Sequence, residues 1–106
     1  MLTISKGTAH QTVITTFEVT PATCQGVLDE LSDACEQFIS KQPGFVGSAI
    51  HVNDARTRVA NYSQWNRRDD FQAMLRSDEM IERSWRINDL CKGFLPVMYD
   101  VVGEYG

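Results

Sequence analysis

The heptapeptide VANYSQW, residues 59–65, sets the two faces of the predicted sheet. It has the composition of a β-strand, and a strand sends alternate side chains to opposite faces. Asn61, Ser63 and Trp65 therefore share one face. If that face is buried, its amide, hydroxyl and indole N–H each need a hydrogen-bond partner, because an unpaired buried polar group costs roughly 1–3 kcal/mol. A pocket for a polar aromatic ligand would supply such partners; the alternative is a solvent-facing row with Trp65 at a sheet edge.

Length and composition place the chain among small globular domains. It has 106 residues, 42% of them hydrophobic and 23% charged, and shows no repeat, linker or low-complexity segment. The net charge of −4 and the scattered basic residues argue against a surface for nucleic acid or anionic membrane. No apolar run is long enough for a membrane span or a signal peptide, so a cytoplasmic location is expected. The three cysteines lack CxxC or metal-type spacing and are predicted to be reduced packing residues.

The first half of the chain predicts a strand, a helix and a hairpin. Residues 11–19, QTVITTFEV, are rich in β-branched side chains and predict the first strand. The pair Thr20-Pro21 favours a helix start, since the hydroxyl can cap the helix and proline is tolerated in its first turn. Apolar residues then recur at helical spacing until the turn at Pro43-Gly44. Two further strands, over 45–52 and 56–65, are expected to form a hairpin.

The second half predicts two helical pieces and a last strand. Asn66 is placed to cap the first piece, with Asp69 three residues on as in a capping box. Ser77 starts the second piece, with acidic residues suited to its positive end. Gly93 ends that helix, and 96–102 is the last strand. The side chains of the second piece expected to face inward are those of Met80, Ile81, Ser84, Trp85, Ile87 and Cys91.

The predicted order of elements is strand, helix, strand, strand, helix in two pieces, strand. This is the split βαβ order of a ferredoxin-like α+β fold, in which an antiparallel sheet carries its helices on one face. The other face of the sheet needs a cover, and sheet-on-sheet burial in a symmetric homodimer would provide it. Residues 1–106 are expected to form a single domain, with 1–10 as a loosely held N-terminal arm.

The chain resembles the antibiotic biosynthesis monooxygenase (ABM) family. The similarity rests on VITTFEV, QPGFVGS and NYSQW, followed by DDFQAMLRSDE, and extends from about Gln11 to Val102. It implies a dimeric ferredoxin-like α+β barrel and, as in several members, a cofactor-independent oxygenase acting on aromatic polyketides or quinols. The anion of such a substrate passes an electron to O₂ itself, so no metal or flavin is expected. The protein holds the substrate, stabilises the developing oxyanion and excludes water.

The resemblance also assigns roles to individual residues. Asn61 and Trp65 match the amide and indole positions of the family, and both are predicted to donate hydrogen bonds to a phenolate or carbonyl oxygen. The alternative is that Trp65 is a core aromatic with its N–H bonded to backbone and that Asn61 ties down a neighbouring strand. Arg86 is the candidate for an arginine that lines the pocket in polyketide-acting members, with Arg83 as competitor. Phe71 stands where those members carry a tyrosine, so this chain lacks a hydroxyl able to shuttle a proton.

His51 and Ser63 complete the set of candidate substrate-binding residues. Ser63 shares the polar face of the central strand, and His51 ends the second strand. An imidazole there is a candidate general base, because histidine titrates near neutral pH; the alternative is a merely exposed side chain. Heme is not expected, since residues 66–90, where heme-degrading relatives of this fold carry an axial histidine, contain no histidine. Clustered metal ligands are also missing from the sequence.

The leading hypothesis is a cofactor-free monooxygenase that oxidises a polycyclic aromatic polyketide or quinol-type substrate with O₂. A small aromatic-ligand binder or an isomerase-like enzyme on the same scaffold is the alternative. A structural interaction module is a third hypothesis, which would need an exposed apolar patch beyond the dimer face. The first hypothesis requires Asn61 and Trp65 to face an enclosed hollow together, with room for a ring system.

Overall fold

The computed structural model describes residues 10–106 and consists of one four-stranded sheet with its helices. The strands are ordered β2-β3-β1-β4, and every neighbouring pair is antiparallel. This confirms the predicted ferredoxin-like α+β architecture. The elements are β1 (Gln11–Glu18), α1 (Cys24–Gln37), a 3₁₀ turn (Ile39–Lys41), β2 (Phe45–Val52), β3 (Arg58–Trp65), α2 (Arg68–Arg76), α3 (Asp78–Leu90) and β4 (Gly93–Tyr99).

The inner face of the sheet is the one that the helices cover. In β3 the alternation predicted for VANYSQW is confirmed, because Val59, Asn61, Ser63 and Trp65 are all buried. The register of β1 on β3 sets Thr15 directly opposite Asn61 on this face. Two clusters of buried residues lie between sheet and helices: Val13, Ala34, Ile39, Trp65, Phe71, Met74 and Met80 in one, and Phe17, Val19, Cys24, Val27, Leu31, Val59 and Ile87 in the other.

The starts of α1 and α2 differ from the prediction. The Thr20 hydroxyl accepts a hydrogen bond from the Thr23 backbone N–H at 3.3 Å, as a capping threonine does, but the regular helix begins only at Cys24. The capping role predicted for Asn66 is wrong, since the N-cap of α2 is Arg67 and no side chain caps it. Asn66 is still part of the sheet region, because its backbone N–H donates to the Gly44 carbonyl at 2.7 Å.

Helix α3 starts as predicted, but part of its apolar face is turned outward. The Ser77 hydroxyl caps it by accepting from the Met80 backbone N–H at 3.3 Å. Met80 and Ile87 are buried, whereas Ile81 is 38% and Trp85 is 68% exposed. The prediction that Ile81 and Trp85 face inward is therefore wrong. Each residue of a helix turns by about 100°, so a stripe through 80, 84 and 87 leaves 81 and 85 on the flank.

The last strand begins earlier than predicted, at Gly93 instead of residue 96, and ends at Tyr99. The Lys92 backbone N–H donates to the Glu18 carbonyl at 2.8 Å, which brings the chain alongside β1 as soon as α3 has ended. Pro96 lies inside β4 and is tolerated because β4 is an edge strand with β1 as its neighbour. The third strand, by contrast, begins two residues later than predicted, at Arg58, because Arg56 takes a left-handed turn conformation with φ of 56°.

Three further predictions concern the chain as a whole. Cys24, Cys35 and Cys91 are unpaired, as predicted. None of the helices within residues 10–106 has the length and hydropathy of a membrane span. The predicted N-terminal arm, 1–10, lies outside the described residues apart from His10.

Candidate functional site

A small cavity lies between the inner face of the sheet and the helices. Its volume is about 40 Å³, which is enough for water but not for a larger molecule. Its wall is mainly apolar, and among the described residues that line it none has an ionisable side chain. The lining consists of Thr15, Phe17, Leu31, Ile39, Asn61, Ser63, Trp65, Phe71, Met74, Leu75, Met80, Ser84, Ile87, Phe94 and Pro96.

Asn61 is the polar residue of the wall whose hydrogen bonding is incomplete. It lies in the middle of β3 and is only 8% exposed. Its Nδ2 lies 4.0 Å from the Sγ of Cys35 on α1, a long and weak contact. Its Oδ1 is buried without a partner, and it is the one such side-chain atom within residues 10–106. Because a buried unpaired acceptor costs roughly 1–3 kcal/mol, this oxygen is a feature that a bound ligand would stabilise.

The hydrogen-bonding groups of Trp65 and Ser63 are occupied within the protein. The indole Nε1–H of Trp65 donates to the Ser63 hydroxyl at 3.2 Å, and that hydroxyl donates to the Val13 carbonyl at 3.4 Å. The predicted free indole donor is therefore not found in this structure. The alternative is nearer the observed contact, except that the indole is bonded to a side chain instead of the backbone.

Trp65 and Phe71 form the aromatic part of the wall. Trp65 is fully buried, and its ring meets those of Phe45 and Phe71 edge-on at centroid distances of 5.4 and 5.7 Å. Phe71 lies in α2, where it shares the inward stripe with Met74. It lines the cavity, while its role in substrate binding stays a prediction, and the ring carries no group that exchanges a proton. The two rings give the cavity a rigid apolar corner.

Arg86 does not line the cavity, contrary to the prediction. Its Nε lies 3.5 Å from Glu30 Oε2, and a further pair joins it to Glu82 at 4.0 Å. The competitor, Arg83, pairs with Asp33 at 2.9 Å and with Glu79 at 3.0 Å. Both guanidinium groups therefore tie α3 to acidic side chains on its surface and on α1. The reason is again helical phase. Ser84 and Ile87, which directly follow Arg83 and Arg86 in the sequence, face the cavity, so the two arginines point away from it.

His51 is also outside the cavity. It pairs with Ala60 in the register of β2 on β3, whereas Ile50 pairs with Asn61. His51 therefore shares the sheet face opposite to Asn61, and its side chain is exposed. The structure thus contradicts the prediction that this imidazole faces the pocket.

Thr15 and Ser84 line the cavity and were not predicted as site residues. Thr15 lies directly across from Asn61 on the neighbouring strand. The two side chains are therefore neighbours on the same face of the sheet. In the sequence Thr15 is one of several β-branched residues of a strand, and only the register of β1 on β3 singles it out. Ser84 lies on the inward stripe of α3. Within residues 10–106 there is no group of three or more His, Cys, Asp or Glu side chains arranged as metal ligands.

Residues 11–82 match the sequence profile of the family described as antibiotic biosynthesis monooxygenase. The chain belongs to this family. A comparison with curated protein sequences gives no match. The family assignment supports a monooxygenase-type function in general terms.

Three solved structures illustrate the shared fold. A variant of SnoaB, a cofactor-independent oxygenase from Streptomyces nogalater, has a TM-score of 0.79 at 16% identity, covering 92% of this chain and 97% of that one. The ActVA-Orf6 monooxygenase from Streptomyces coelicolor, bound to nanaomycin D, has a TM-score of 0.78 at 23% identity, covering 90% and 89%. A conserved protein from Methanosarcina mazei Go1 has a TM-score of 0.77 at 15% identity, covering 86% and 91%. At these identities the likeness concerns the fold.

Proposed function

We propose that this ABM protein is a cofactor-independent monooxygenase that oxidises a polycyclic aromatic polyketide or quinol-type substrate with O₂. The observation that carries the proposal is the incomplete hydrogen bonding of Asn61 on the wall of an otherwise apolar cavity. An apolar wall suits a flat aromatic body, and an amide suits one oxygen at its edge. The family and the description of SnoaB as a cofactor-independent oxygenase support the same choice.

The chemistry asks little of the protein beyond binding and charge stabilisation. In an anthrone-type substrate a CH₂ group and O₂ become a carbonyl group and water, so the substrate supplies all four electrons that reduce O₂ and both hydrogens of the water. Loss of the first proton leaves an anion whose charge is delocalised onto the ring oxygen. The Asn61 amide stabilises that oxygen when its N–H₂ group is turned toward it, and a preorganised donor of this kind is typically worth about 10²–10³ in kcat.

Trp65 and Ser63 have a supporting role in this proposal. Their hydrogen bonds run from indole to hydroxyl to the Val13 carbonyl, which fixes the wall beside Asn61. We therefore place the oxyanion contact at Asn61 and treat Trp65 as the surface on which the substrate ring packs. Thr15, opposite Asn61, adds a hydroxyl that can reach a second oxygen on the same edge of the substrate.

Substrate binding requires the cavity to open. The room for a ring system that the sequence-based hypothesis requires beside Asn61 and Trp65 is not present here, because a space of about 40 Å³ is too small for fused rings. The side chains that close it toward the helices include Met74, Leu75 and Met80. Methionine is unbranched and changes rotamer at low cost, so a wall with two methionines can be displaced by a ligand. We propose that α2 and the start of α3 move outward when the substrate enters.

We also propose that the protein works as a homodimer through the outer face of its sheet. Ile14, Tyr62 and Val97 on that face are half-buried, and Leu95 and Tyr99 of β4 are 62% and 47% exposed. A sheet face with exposed apolar side chains and no helix over it is normally covered in the assembled protein. A second copy of the sheet would cover it by face-to-face packing. A cytoplasmic location stays a prediction from the sequence.

The deciding experiment is oxygen uptake by the purified protein with a panel of anthrones, naphthols and naphthoquinols, in the presence of a chelator and without flavin. The proposal predicts one O₂ consumed per substrate oxidised. Asn61→Ala should lower kcat by about 10²–10³. The matched control is Asn88→Ala, which removes an exposed asparagine from α3 and should leave kcat unchanged.

The alternative, a binder of small aromatic ligands, makes a different prediction in the same experiment. It gives quenching of tryptophan fluorescence by the ligands and no O₂ consumption with any of them. Binding without uptake across the panel would overturn the oxygenase proposal in favour of the binder. Uptake that is equal in wild type and Asn61→Ala would show that the amide does not carry the reaction.

A further inference from the structure

Cys35 is the residue that contacts the Asn61 amide from outside the cavity. It lies on the last part of α1, half-buried, and its Sγ is 4.0 Å from Asn61 Nδ2. Ser48 of β2 is a second polar side chain near the thiol, and it lines the same surface groove as Cys35. The thiol therefore lies between two strands, with one polar neighbour on each.

The orientation of the Asn61 amide depends on this contact. Rotation about the last side-chain bond of asparagine is broad, so the amide takes the orientation that its partners favour. Cys35 Sγ is the partner of its Nδ2, while its Oδ1 has none. A 180° turn of the amide would exchange the two groups, setting Oδ1 beside the thiol and Nδ2 in the position that Oδ1 now occupies.

A thiol can serve both orientations, because it is a weak donor and a weak acceptor. In the observed orientation the sulfur accepts from Nδ2, and Oδ1 is left to accept a hydrogen bond from a substrate hydroxyl. In the turned orientation the S–H donates to Oδ1, and the N–H₂ group is left to donate to an oxyanion. Burial raises the pKa of the Cys35 thiol, and this effect is larger than the lowering of the pKa by the polar neighbours Ser48 and Asn61. The sulfur therefore keeps the proton that this donation requires.

We propose that Cys35 is a positioning residue that supports the Asn61 amide in both orientations, so that one side chain can bind a substrate hydroxyl and then its oxyanion. This inference rests on the proposed oxygenase function for its catalytic meaning. Cys35 acts through Asn61 and does not contact the substrate. The substrate class that follows is a quinol or a phenolic anthrone, whose reacting oxygen changes from donor to acceptor when it loses its proton.

The first test follows the amide itself. In ¹H–¹⁵N spectra the side-chain NH₂ pair of Asn61 is assigned by its loss in Asn61→Ala. Cys35→Ala should shift or broaden that pair, Cys35→Ser should largely restore it, and the control Cys91→Ala should leave it in place. If Cys35→Ala does not fold, Cys35→Val, which has a similar volume and no polar atom, takes its place. An NH₂ pair that is unchanged in Cys35→Ala or Cys35→Val would overturn the proposal.

The second test is a double-mutant cycle in oxygen uptake. A contact of 4.0 Å to sulfur is weaker than an ordinary hydrogen bond, so Cys35→Ala should lower kcat by only about two- to threefold, with KM within about twofold. In the Asn61→Ala background the same change should have no further effect. Losses that multiply would show that Cys35 acts by another route. If the protein consumes no O₂ at all, the proposed function fails, while the spectra still decide whether Cys35 positions Asn61.

Discussion

Replacing Asn61 by leucine is expected to make the protein more stable and to abolish its activity. The side chains are similar in reach, and leucine has no polar atom to leave unpaired. The site is 92% buried, since 8% of Asn61 is exposed, so an apolar side chain at this position is removed from water. Stabilisation by loss of a buried polar residue is the behaviour of a group retained for function rather than for folding.

The magnitude follows from the contacts of the amide. The unpaired Oδ1 costs roughly 1–3 kcal/mol, and that cost disappears with the oxygen. The contact from Nδ2 to Cys35 Sγ at 4.0 Å is lost, but a sulfur contact of this length contributes little. A net gain of about 1–2 kcal/mol is expected, which raises the Tm of a domain of this size by about 4–16 °C.

The assay is urea and thermal unfolding of wild type, Asn61→Leu and Asn88→Leu at one protein concentration, because association would shift the midpoints. The exposed Asn88 serves as the matched control and should change the free energy of unfolding by no more than about 0.5 kcal/mol. A loss of 1 kcal/mol or more in Asn61→Leu would refute the reasoning. It would mean that the amide is fully paired in solution, for example through an ordered water in the cavity.

Three further outcomes follow from the contacts. Trp65→Phe removes the indole N–H that donates to Ser63 and leaves a void, so the free energy of unfolding should fall by about 2–3 kcal/mol. The value of kcat should fall less than in Asn61→Ala. A larger fall in kcat would show that the indole donates to the substrate. Arg86→Gln breaks a partly exposed pair with Glu30 and should change unfolding by less than about 1 kcal/mol with unaltered kcat; a tenfold loss of kcat would place the guanidinium at the substrate. Leu95→Asp should convert the proposed homodimer to monomers in sedimentation velocity, and a variant with the same mass as the wild type would show that the outer face is not an interface.

The strand that carries the site was predictable because the period of a strand is two. Once VANYSQW was assigned to β3, the placement of Asn61, Ser63 and Trp65 on one face followed from geometry alone, whereas the burial of that face depends on the helices that pack on it. The order of elements then fixed the topology, since few arrangements of strands and crossovers are compatible with it. The same period shows afterwards why His51 cannot face the cavity, because it lies opposite Ala60 and not opposite Asn61.

The helical part of the site was less predictable because helical phase is set by packing. Trp85 and Arg86 were expected to face inward, and a rotation of one residue, about 100°, moves both away from the cavity. The sequence of α3 offers apolar residues on more than one stripe, and only contact with the sheet selects Ser84 and Ile87. The hydrogen bond from the Trp65 indole to Ser63, two residues away on the same face, could not be predicted either, since it depends on side-chain rotamers and not on the period of the strand.

The neutrality of the cavity wall limits what this site can bind and how it can act. Among the described residues of the lining there is no cation to pair with a carboxylate or phosphate, and burying such a group unpaired is costly. A substrate that enters as a neutral molecule and acquires its charge only after entry avoids that cost. In the proposed reaction the charge then develops on an oxygen beside Asn61, in a space from which water is displaced and where a single donor is worth most. In the empty protein the unsatisfied atom of Asn61 is an acceptor, which suits a substrate hydroxyl, and after deprotonation a turned amide presents its N–H₂ group to the oxyanion. In the proposed function this change of role is the physical reason for linking the amide to oxidation rather than to simple binding.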